Sequence, residues 1–385
     1  GFGLDIVSKS KKPSLSVRFN GILKPEVSGD YDFEIFSIGP SRLFIDDEEL
    51  IDNWSSQDPG DTFFSMGSKP KRGQITLKSG KEYSIKVEYK WEGRFPAVQI
   101  GMLAPDDHDL MDAAVALAQK SDATILIVGT NSDWETEGND RDSLQLPLRQ
   151  NELIEKVCTA NKNTVVVLNT GAPCEMPWND QVDAILQCWF PGQEFGNSLA
   201  DIIFGDVNPS GKLPTTFPVK LEDTPAYSTY PGKDLQMDYQ EGLYIGYRWY
   251  EKEKIVPLYP FGHGLSYTTF DYSNVRAIPP KGTSSVAAFE LEITNTGSTE
   301  GKEVIQCYSS VQNSKVDRPL KELKKFQKIN LDPGESKKIS FEVNERDLSY
   351  WNEETKTWQV EPAQYVFEFG SSSSDIRGSA EVWLG

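Results

Sequence analysis

The sequence predicts a multidomain protein in which an antiparallel β-sandwich is followed by an α/β sandwich with a mostly parallel sheet, and then by a second antiparallel β-sandwich. Three observations support this order. Apolar and polar residues alternate up to about residue 105, solid apolar runs alternate with helical patterns after it, and alternation returns near residue 275. A length of 385 residues also suits two or three domains. We therefore predict domains at 1–105, 106–274 and 275–385.

Period-two alternation marks the first domain, and turn signals such as Ser28-Gly29-Asp30 and Asp58-Pro59-Gly60 separate its runs. Short strands with regular turns are typical of an antiparallel sandwich or barrel. The alternating runs are Val17/Phe19, Tyr31/Phe33/Ile35, Tyr83/Ile85/Val87/Tyr89 and Val98/Ile100/Met102.

The segment from Val27 to Trp54 resembles the protective-antigen-type β-sandwich, a module that often serves as a carbohydrate-binding insert. The N-terminal part of that module is expected to be missing. In adhesin members of the group, paired aspartates bind calcium. The resemblance would give this role to Asp46 and Asp47. Two carboxylates make an incomplete calcium shell, so a turn role for both is favoured. Trp54 and Trp91 could stack on sugar rings, with core positions as the alternative.

Three solidly apolar runs indicate buried strands of a parallel sheet that is covered on both faces. These runs span 125–128, 165–168 and 184–189. Helical spacing of apolar residues surrounds them, which is typical of an α/β fold. The predicted helices cover 109–119, where Asp109 would cap the first turn, and 148–160 and 195–204.

The first of these strands is closed by Gly129 and leads into an acidic loop. The loop holds four carboxylates and one arginine, namely Asp133, Glu135, Glu137, Asp140 and Arg141. Loops at the ends of buried strands are where α/β proteins place chemistry, and crowded carboxylates favour the protonated form that a general acid needs. A solvated acidic loop is the alternative. Strand context does not choose among the four acids.

Residues 206–274 lose periodicity and are rich in Tyr, Pro and Gly, which indicates either a functional segment or one that wraps another domain. Alternation then returns, with turns such as Asp332-Pro333-Gly334 between the runs. This block predicts a second antiparallel sandwich of immunoglobulin-like size. Its clearest runs are Phe289/Leu291/Ile293, Ile339/Phe341/Val343 and Tyr365/Phe367/Phe369.

The composition excludes several classes of function. A net charge of −19 argues against nucleic acid and anionic membranes as partners and favours uncharged ligands. No apolar run approaches the length of a membrane span. The four cysteines lack the spacing and histidine partners of a zinc site, and no metal or other cofactor is predicted. The cysteine content and the single glycosylation sequon, at Asn53, favour a cytoplasmic over a secreted protein.

Other catalytic constellations are missing from the sequence. The segment 205–212 looks like a phosphate loop, but its glycines are one residue too far apart and Leu213 replaces the required Ser or Thr. With His108 and His263 as the two histidines, a Ser or Cys nucleophile has few candidate bases. Carboxylates are the abundant acid–base resource, and paired carboxylates are how most glycosidases work.

Five segments resemble, in order, the motifs of glycoside hydrolase family 3, in the subgroup of β-glucosidases whose second domain carries a sugar-binding sandwich. They are Glu137-Gly138-Asn139-Asp140-Arg141, Leu146-Pro147, Pro191-Gly192-Gln193-Glu194, the segment 205–214 and the segment 260–267. The resemblance covers essentially the whole chain and implies a fibronectin-III-like last domain. It also implies a retaining β-glucosidase acting on β-glucosides or oligosaccharides, with Glu137 as general acid/base. Asp140 and Arg141 would form a pair that shapes the loop, with direct sugar contact as the alternative.

The N-terminal barrel of that family, about 250 residues long, has no counterpart in this sequence. The resemblance places the Asp nucleophile on the barrel, so we expect the isolated chain to be inactive and to need the barrel as a partner. Gly1 is not an initiator Met, which indicates a fragment boundary or a truncation. A non-catalytic carbohydrate-binding or scaffold protein is the alternative. The oligomeric state stays open, a homo-oligomer included.

Overall fold

The computed structural model of the chain describes residues 14–60, 62–93, 95–105, 110–138, 140–282 and 284–385. The chain divides into two compact units. The first comprises Gly1–Ser121 with Ser132–Asp140, and the second comprises Asp122–Asn131 with Arg141–Gly385. Asp109, the predicted helix cap, and His108, one of the two histidines considered as bases, lie outside the described residues.

The first unit contains the predicted antiparallel sandwich. One sheet has the strand order β1-β6-β3-β4 and the other has the order β5-β2-β7. The alternating apolar residues of β2 and β6 face each other in a common core that includes Tyr31, Phe33 and Val87. The strands are β1 (Ser14–Leu23), β2 (Gly29–Ile38), β3 (Ser41–Ile45), β4 (Glu48–Asn53), β5 (Lys71–Leu77), β6 (Tyr83–Glu92) and β7 (Ala97–Leu103), and the helices are α1 (Thr62–Ser65) and α2 (Leu110–Lys120).

Asp46 and Asp47 form the turn between β3 and β4, which agrees with the turn interpretation. Both have positive φ, 48° and 65°, a conformation that Asp and Asn adopt more readily than other non-glycine residues. The Asp46 carboxylate accepts a hydrogen bond from the Ser84 amide at 2.9 Å, and the Asp47 carboxylate lies 2.8 Å from Lys86 Nζ.

A buried polar cluster surrounds Asn53 in the first unit. The side chain of Asn53 is 0% exposed, and its Nδ2 lies 3.0–3.2 Å from the hydroxyl oxygens of Ser37, Ser41 and Ser68. The sequon at Asn53 is therefore inaccessible to a glycosyltransferase in the folded unit.

The second unit begins with the predicted parallel sheet, whose strand order is β10-β9-β8. Helix α3 covers one face, where Val128, Ile154, Val166 and Trp178 form a buried core. The third strand is shorter than predicted, because Trp189 has a positive φ of 56° that extended backbone does not allow. The elements are β8 (Thr124–Gly129), β9 (Thr164–Asn169), β10 (Ala184–Gln187), α3 (Gln150–Ala160), α4 (Phe195–Phe204) and α5 (Tyr247–Glu253).

The other face of the sheet differs from the prediction that both faces are covered. Ile125 and Ile127 on β8 are 48% and 52% exposed, although their neighbours Leu126 and Val128 pack into the core. Helix α4 contains no buried residue, and its Phe204 is exposed. Exposed apolar side chains on a parallel sheet are unusual, since such sheets normally carry helices on both faces.

The last part of the second unit is the predicted second antiparallel sandwich. Its sheets have the orders β11-β12-β15 and β14-β13-β18-β19, and the predicted alternating residues fill one core. Its elements are β11 (Phe270–Ile278), β12 (Ser285–Asn295), β13 (Gly301–Val311), β14 (Glu322–Leu331), β15 (Ser336–Asn344), α6 (Glu345–Leu348), the hairpin β16 (Tyr350–Asn352) and β17 (Thr357–Gln359), β18 (Ala363–Gly370) and β19 (Ile376–Leu384).

The segment 260–267 packs against this sandwich. A Cβ atom on Gly262 would lie 2.1 Å from Gln306 Oε1, and a Cβ on Gly264 would lie 2.2 Å from the carbonyl oxygen of Gly211. The imidazole of His263, between these glycines, stacks on Tyr259 with ring centroids 5.0 Å apart. Burial and the nearby Lys212 lower the pKa of His263, so the ring is neutral near pH 7. These contacts give the segment a packing role.

Candidate active site

The end of β8, from which the acidic loop departs, is held by the side chain of Gln150. Gln150 Oε1 accepts a hydrogen bond from the Gly129 amide at 2.7 Å, and its Nε2 donates to the Gly129 carbonyl at 2.8 Å. A Cβ on Gly129 would lie 2.1 Å from the Asn169 carbonyl oxygen, so only glycine allows β8 and β9 to approach this closely. No pattern in the sequence predicts this contact of Gln150.

The acidic loop continues from this end of the strand into the first unit. Glu137 is exposed, whereas Glu135 is partly buried. Gly138 follows Glu137 with a φ of +86°, a conformation that glycine adopts without strain. Asp140 is exposed, and Asn139 lies outside the described residues. The loop thus presents Glu137 to solvent, next to a glycine in the left-handed conformation, so its carboxyl group is accessible to a substrate.

Arg141 begins the part of the chain that returns to the second unit. Its Nη1 donates to the Pro173 carbonyl over a long 3.4 Å, while its Nε and Nη2 are buried and have no hydrogen-bond partner in the described part of the chain. A buried guanidinium offers five donors, and leaving them unpaired costs free energy. These two nitrogens therefore point to an acceptor outside the described residues.

Two further buried oxygens lie at the carboxyl ends of the neighbouring strands. Asn169 Oδ1 and Gln187 Oε1 have no hydrogen-bond partner among the residues that the structure describes. Asn169 is paired with Gly129 across β9 and β8, and Gln187 is paired with Leu168 across β10 and β9. Open α/β sheets bind ligands outside the carboxyl ends of their strands, so these atoms belong to the edge where a ligand would be expected. Sequence reasoning missed both residues, although Asn169 stands directly at the predicted strand end.

The two tryptophans considered for sugar stacking differ in their surroundings. Trp91 is buried and belongs to the core, which confirms that alternative. Trp54 is partly buried, and the Arg42 guanidinium carbon lies 5.0 Å from its ring centroid. A sugar role for Trp54 stays a prediction.

Among the residues that the structure describes, no group of three or more His, Cys, Asp or Glu could hold a metal ion. In the same residues, no helix has the length and apolarity needed to cross a membrane.

Comparison with known protein families identifies the family to which the chain belongs. The model of the glycosyl hydrolase family 3 C-terminal domain matches residues 35–267, and that of the fibronectin type III-like domain matches residues 303–373. The chain belongs to glycosyl hydrolase family 3. Its last sandwich, 275–385 in our prediction, contains the fibronectin type III-like match.

Relatives of this family 3 chain are named β-glucosidases. The β-glucosidase of Kluyveromyces marxianus is 41% identical over 379 residues, which are 95% of this chain and 44% of the relative. The β-glucosidase of Rhizobium radiobacter is 38% identical, over 96% of this chain and 46% of the relative. The chain therefore spans less than half the length of these relatives.

Solved structures agree with the family assignment. The crystal structure of the Kluyveromyces marxianus β-glucosidase in complex with glucose matches 97% of this family 3 chain and 45% of its own, with a TM-score of 0.88 and 40% identity. The structure of DesR, a β-glucosidase from Streptomyces venezuelae in complex with D-glucose, matches 97% of this chain and 47% of its own, with a TM-score of 0.73 and 32% identity.

Proposed function

We propose that this chain is the C-terminal part of a retaining β-glucosidase that hydrolyses terminal β-D-glucosyl residues. The observation that carries the proposal is the 41% identity to the β-glucosidase of Kluyveromyces marxianus over 95% of the chain. The chain covers 44% of that relative, so part of the enzyme lies outside it. In this proposal a barrel outside the chain supplies the rest of the active site, including the Asp nucleophile, as the family resemblance implies.

Glu137 is the general acid/base in this proposal. In the first step its carboxyl group protonates the glycosidic oxygen while the nucleophile attacks the anomeric carbon. In the second step its carboxylate takes a proton from the water that cleaves the glycosyl-enzyme. The exposure of Glu137 and the positive φ of Gly138 support this assignment. Retention requires two carboxyl groups about 5 Å apart, of which this chain contributes one.

Asp140 and Arg141 have a supporting role in the proposal. The resemblance to the family motif gives them the task of shaping the loop that carries Glu137. The buried, unpartnered nitrogens of Arg141 support a contact with the substrate or with the barrel, because the described residues offer them no acceptor.

The test is a Glu137→Gln variant in the full-length protein that contains this chain together with its barrel. We expect kcat/KM for alkyl β-glucosides to fall by about 10²–10⁴, whereas kcat/KM for a dinitrophenyl β-glucoside stays near that of the parent because this leaving group needs no protonation. In the Glu137→Ala variant, added azide should attack the glycosyl-enzyme and yield β-glucosyl azide. Glu135→Gln is the matched control, since it removes one carboxylate from the same loop.

Equal losses on activated and unactivated substrates would contradict the acid role of Glu137. So would a Glu135→Gln variant that shows the same dependence on the leaving group. Activity of the isolated chain would contradict the need for the barrel.

A non-catalytic carbohydrate-binding protein is the second candidate, and the resemblance of the first unit to the protective-antigen-type sandwich favours it. Calorimetric titration of the chain with cello- and laminari-oligosaccharides tests it, with Trp54→Ala as the variant. Oligosaccharide binding that Trp54→Ala weakens, in a full-length protein without turnover, would support this candidate over the enzyme.

A further inference from the structure

Residues 224–246 form an arm on the second unit, which they leave just after Asp223 and rejoin at helix α5. The structure describes every residue of this arm, and the arm contains neither a helix nor a strand. Connections without secondary structure rarely exceed about 12–15 residues in compact domains, and longer ones are usually functional loops or linkers. The arm belongs to the stretch 206–274, whose sequence indicated either a functional segment or one that wraps another domain.

Both ends of the arm are fixed to the second unit. Trp249 Nε1, just after the arm, donates to the carbonyl oxygen of Asp223, just before it, at 3.2 Å. Near the returning end the buried Tyr244 donates its hydroxyl to the Asp317 carboxylate, and Lys252 Nζ lies 3.8 Å from the centre of the Tyr244 ring. The arm is therefore a closed loop that is held at its base, not a linker between two bodies.

The tip of the arm is a two-residue turn that presents a leucine. The Lys233 amide donates to the Gln236 carbonyl at 2.8 Å, and the Gln236 amide donates back to the Lys233 carbonyl at 2.9 Å. Between them Asp234 and Leu235 have positive φ, 52° and 62°, in a kind of turn that favours Asn, Asp and Gly. A leucine is strained in this conformation, and the side chain of Leu235 is 108% exposed, so no contact within the described residues offsets the strain.

Leu235 is one of several large apolar side chains that the arm exposes. They are Tyr227, Tyr230, Leu235, Tyr239, Leu243 and Ile245. Single exposed apolar residues are normal on a protein surface, whereas a concentration of them in one segment marks an interaction site. The arm therefore has the composition of a docking segment.

The partner of the arm follows from charge and from chain length. A second copy of the chain carries the same net charge of −19, which opposes self-association. The glucose-bound β-glucosidase structure from Kluyveromyces marxianus matches 97% of this chain with a TM-score of 0.88, but the match is only 45% of that protein. In such a longer protein, the part outside the match is tethered to the arm and is present at a high effective concentration.

We propose that the arm docks, with Leu235 at its tip, on an apolar surface of the part of the full-length protein that lies outside this chain. The proposal rests on the proposed function in one respect, namely that the chain is a piece of a longer protein. Burial of the Leu235 side chain at that interface offsets the strain of its backbone. Of the two interpretations of the irregular stretch, the arm then fulfils the second, a segment that wraps another domain.

Limited digestion with chymotrypsin tests the proposal without a measurement of activity. Cleavage after Tyr239 is followed by mass spectrometry in the 385-residue chain and in the full-length protein. We expect this cleavage to be about 100-fold slower in the full-length protein, because the docked arm must detach before the protease can bind it.

Leu235→Asn should have opposite effects in the two proteins. Asn adopts the left-handed conformation more readily than Leu, so the variant of the 385-residue chain should be at least as resistant to urea as its parent. In the full-length protein the same variant loses an apolar contact, and cleavage after Tyr239 should become about 10- to 100-fold faster. Leu265→Asn, at a leucine that is 77% exposed outside the arm, is the matched control and should leave this cleavage unchanged.

Equal cleavage after Tyr239 in the two parent proteins would overturn the proposal, and so would a full-length Leu235→Asn variant that is cleaved as slowly as its parent. Protection that appears in the 385-residue chain, rises with its concentration and is lost in Leu235→Asn would assign the arm to a second copy and would also overturn it. A full-length protein with a protected arm and no β-glucosidase activity would support the docking of the arm and contradict the proposed catalytic function.

Discussion

Lys212 Nζ lies 3.3 Å from Glu303 Oε1, and the two side chains are only 12% and 6% exposed. Lys212 also donates to the Gly264 carbonyl at 2.7 Å, and the Tyr272 hydroxyl donates to Glu303 at 3.1 Å. Burial raises the pKa of Tyr272, so its hydroxyl stays protonated as a donor. The lysine of the segment that looks like a phosphate loop therefore joins that segment to the last sandwich.

Loss of the lysine should destabilise the second unit. Lys212→Met leaves the Glu303 carboxylate buried without its cation, and removing one partner of a buried pair costs about 3–5 kcal/mol. Urea unfolding followed by circular dichroism measures the change, and Lys302→Met, at an exposed position of β13, is the control. The double variant Lys212→Met with Glu303→Leu should recover most of the loss. A single variant as stable as the parent would show that the pair is not important for folding.

The fold was largely predictable because its strands obey simple patterns. Solid apolar runs predicted β8 and β9, and alternation in β2, β6, β12 and β18 predicted the two sandwiches. The Lys212–Glu303 pair was not predictable, because it joins residues that are far apart in the sequence and that no local pattern connects. Two other features were also not predictable. The early end of β10 depends on the backbone conformation of Trp189. The exposure of Ile125 and Ile127 depends on which elements cover that face of the sheet.

The polar cluster around Asn53 gives a prediction for the first unit. Asn53→Ala removes the amide that lies among the hydroxyls of Ser37, Ser41 and Ser68, and the buried hydroxyls lose a partner. We expect a loss of about 2 kcal/mol in the free energy of unfolding, measured by urea denaturation. Asn20→Ala, at an exposed position of β1, should change it by less than about 0.5 kcal/mol.

The burial of Asn53 also affects whether its sequon can be glycosylated. When the chain is expressed in a secretory host, Asn53 should remain unglycosylated in the folded protein, as peptide mass spectrometry would report. A glycan on Asn53 of a natively folded protein would contradict the buried position of this side chain.

Much less of the site could be predicted from the sequence than of the fold. Glu137 was selected by a family motif, because neither the strand pattern nor the charge of the loop separates it from Glu135. Asn169 and Gln187 become relevant only through the register of the parallel sheet, which places the ends of β9 and β10 at one edge. The sequence also does not predict that two nitrogens of Arg141 are buried without a partner, because a charged residue in a polar loop is normally expected to be exposed.

Arg141 should matter more for activity than for the stability of this chain. Its side chain makes one long hydrogen bond within the described residues, so Arg141→Gln should change the unfolding free energy of the chain by less than about 1 kcal/mol. In the full-length enzyme the same variant should lower kcat/KM for β-glucosides at least 10-fold. Arg149→Gln, whose ion pair with Glu152 is exposed, is the control for loss of a positive charge. A large loss of stability with unchanged activity would give Arg141 a purely structural role.

The exposed face of β8 predicts how the isolated chain behaves in solution. Ile125 and Ile127 lie on a strand at the edge of the described sheet, and exposed apolar edge strands promote association. Ile127→Lys should reduce concentration-dependent association, measured by light scattering after size-exclusion chromatography, and should change the unfolding free energy by less than about 1 kcal/mol because the side chain is half exposed. Val166→Lys, on the buried face of β9, should prevent folding. If the parent chain is monomeric at all concentrations, or if Ile127→Lys unfolds it, this face is covered in solution by part of the chain itself.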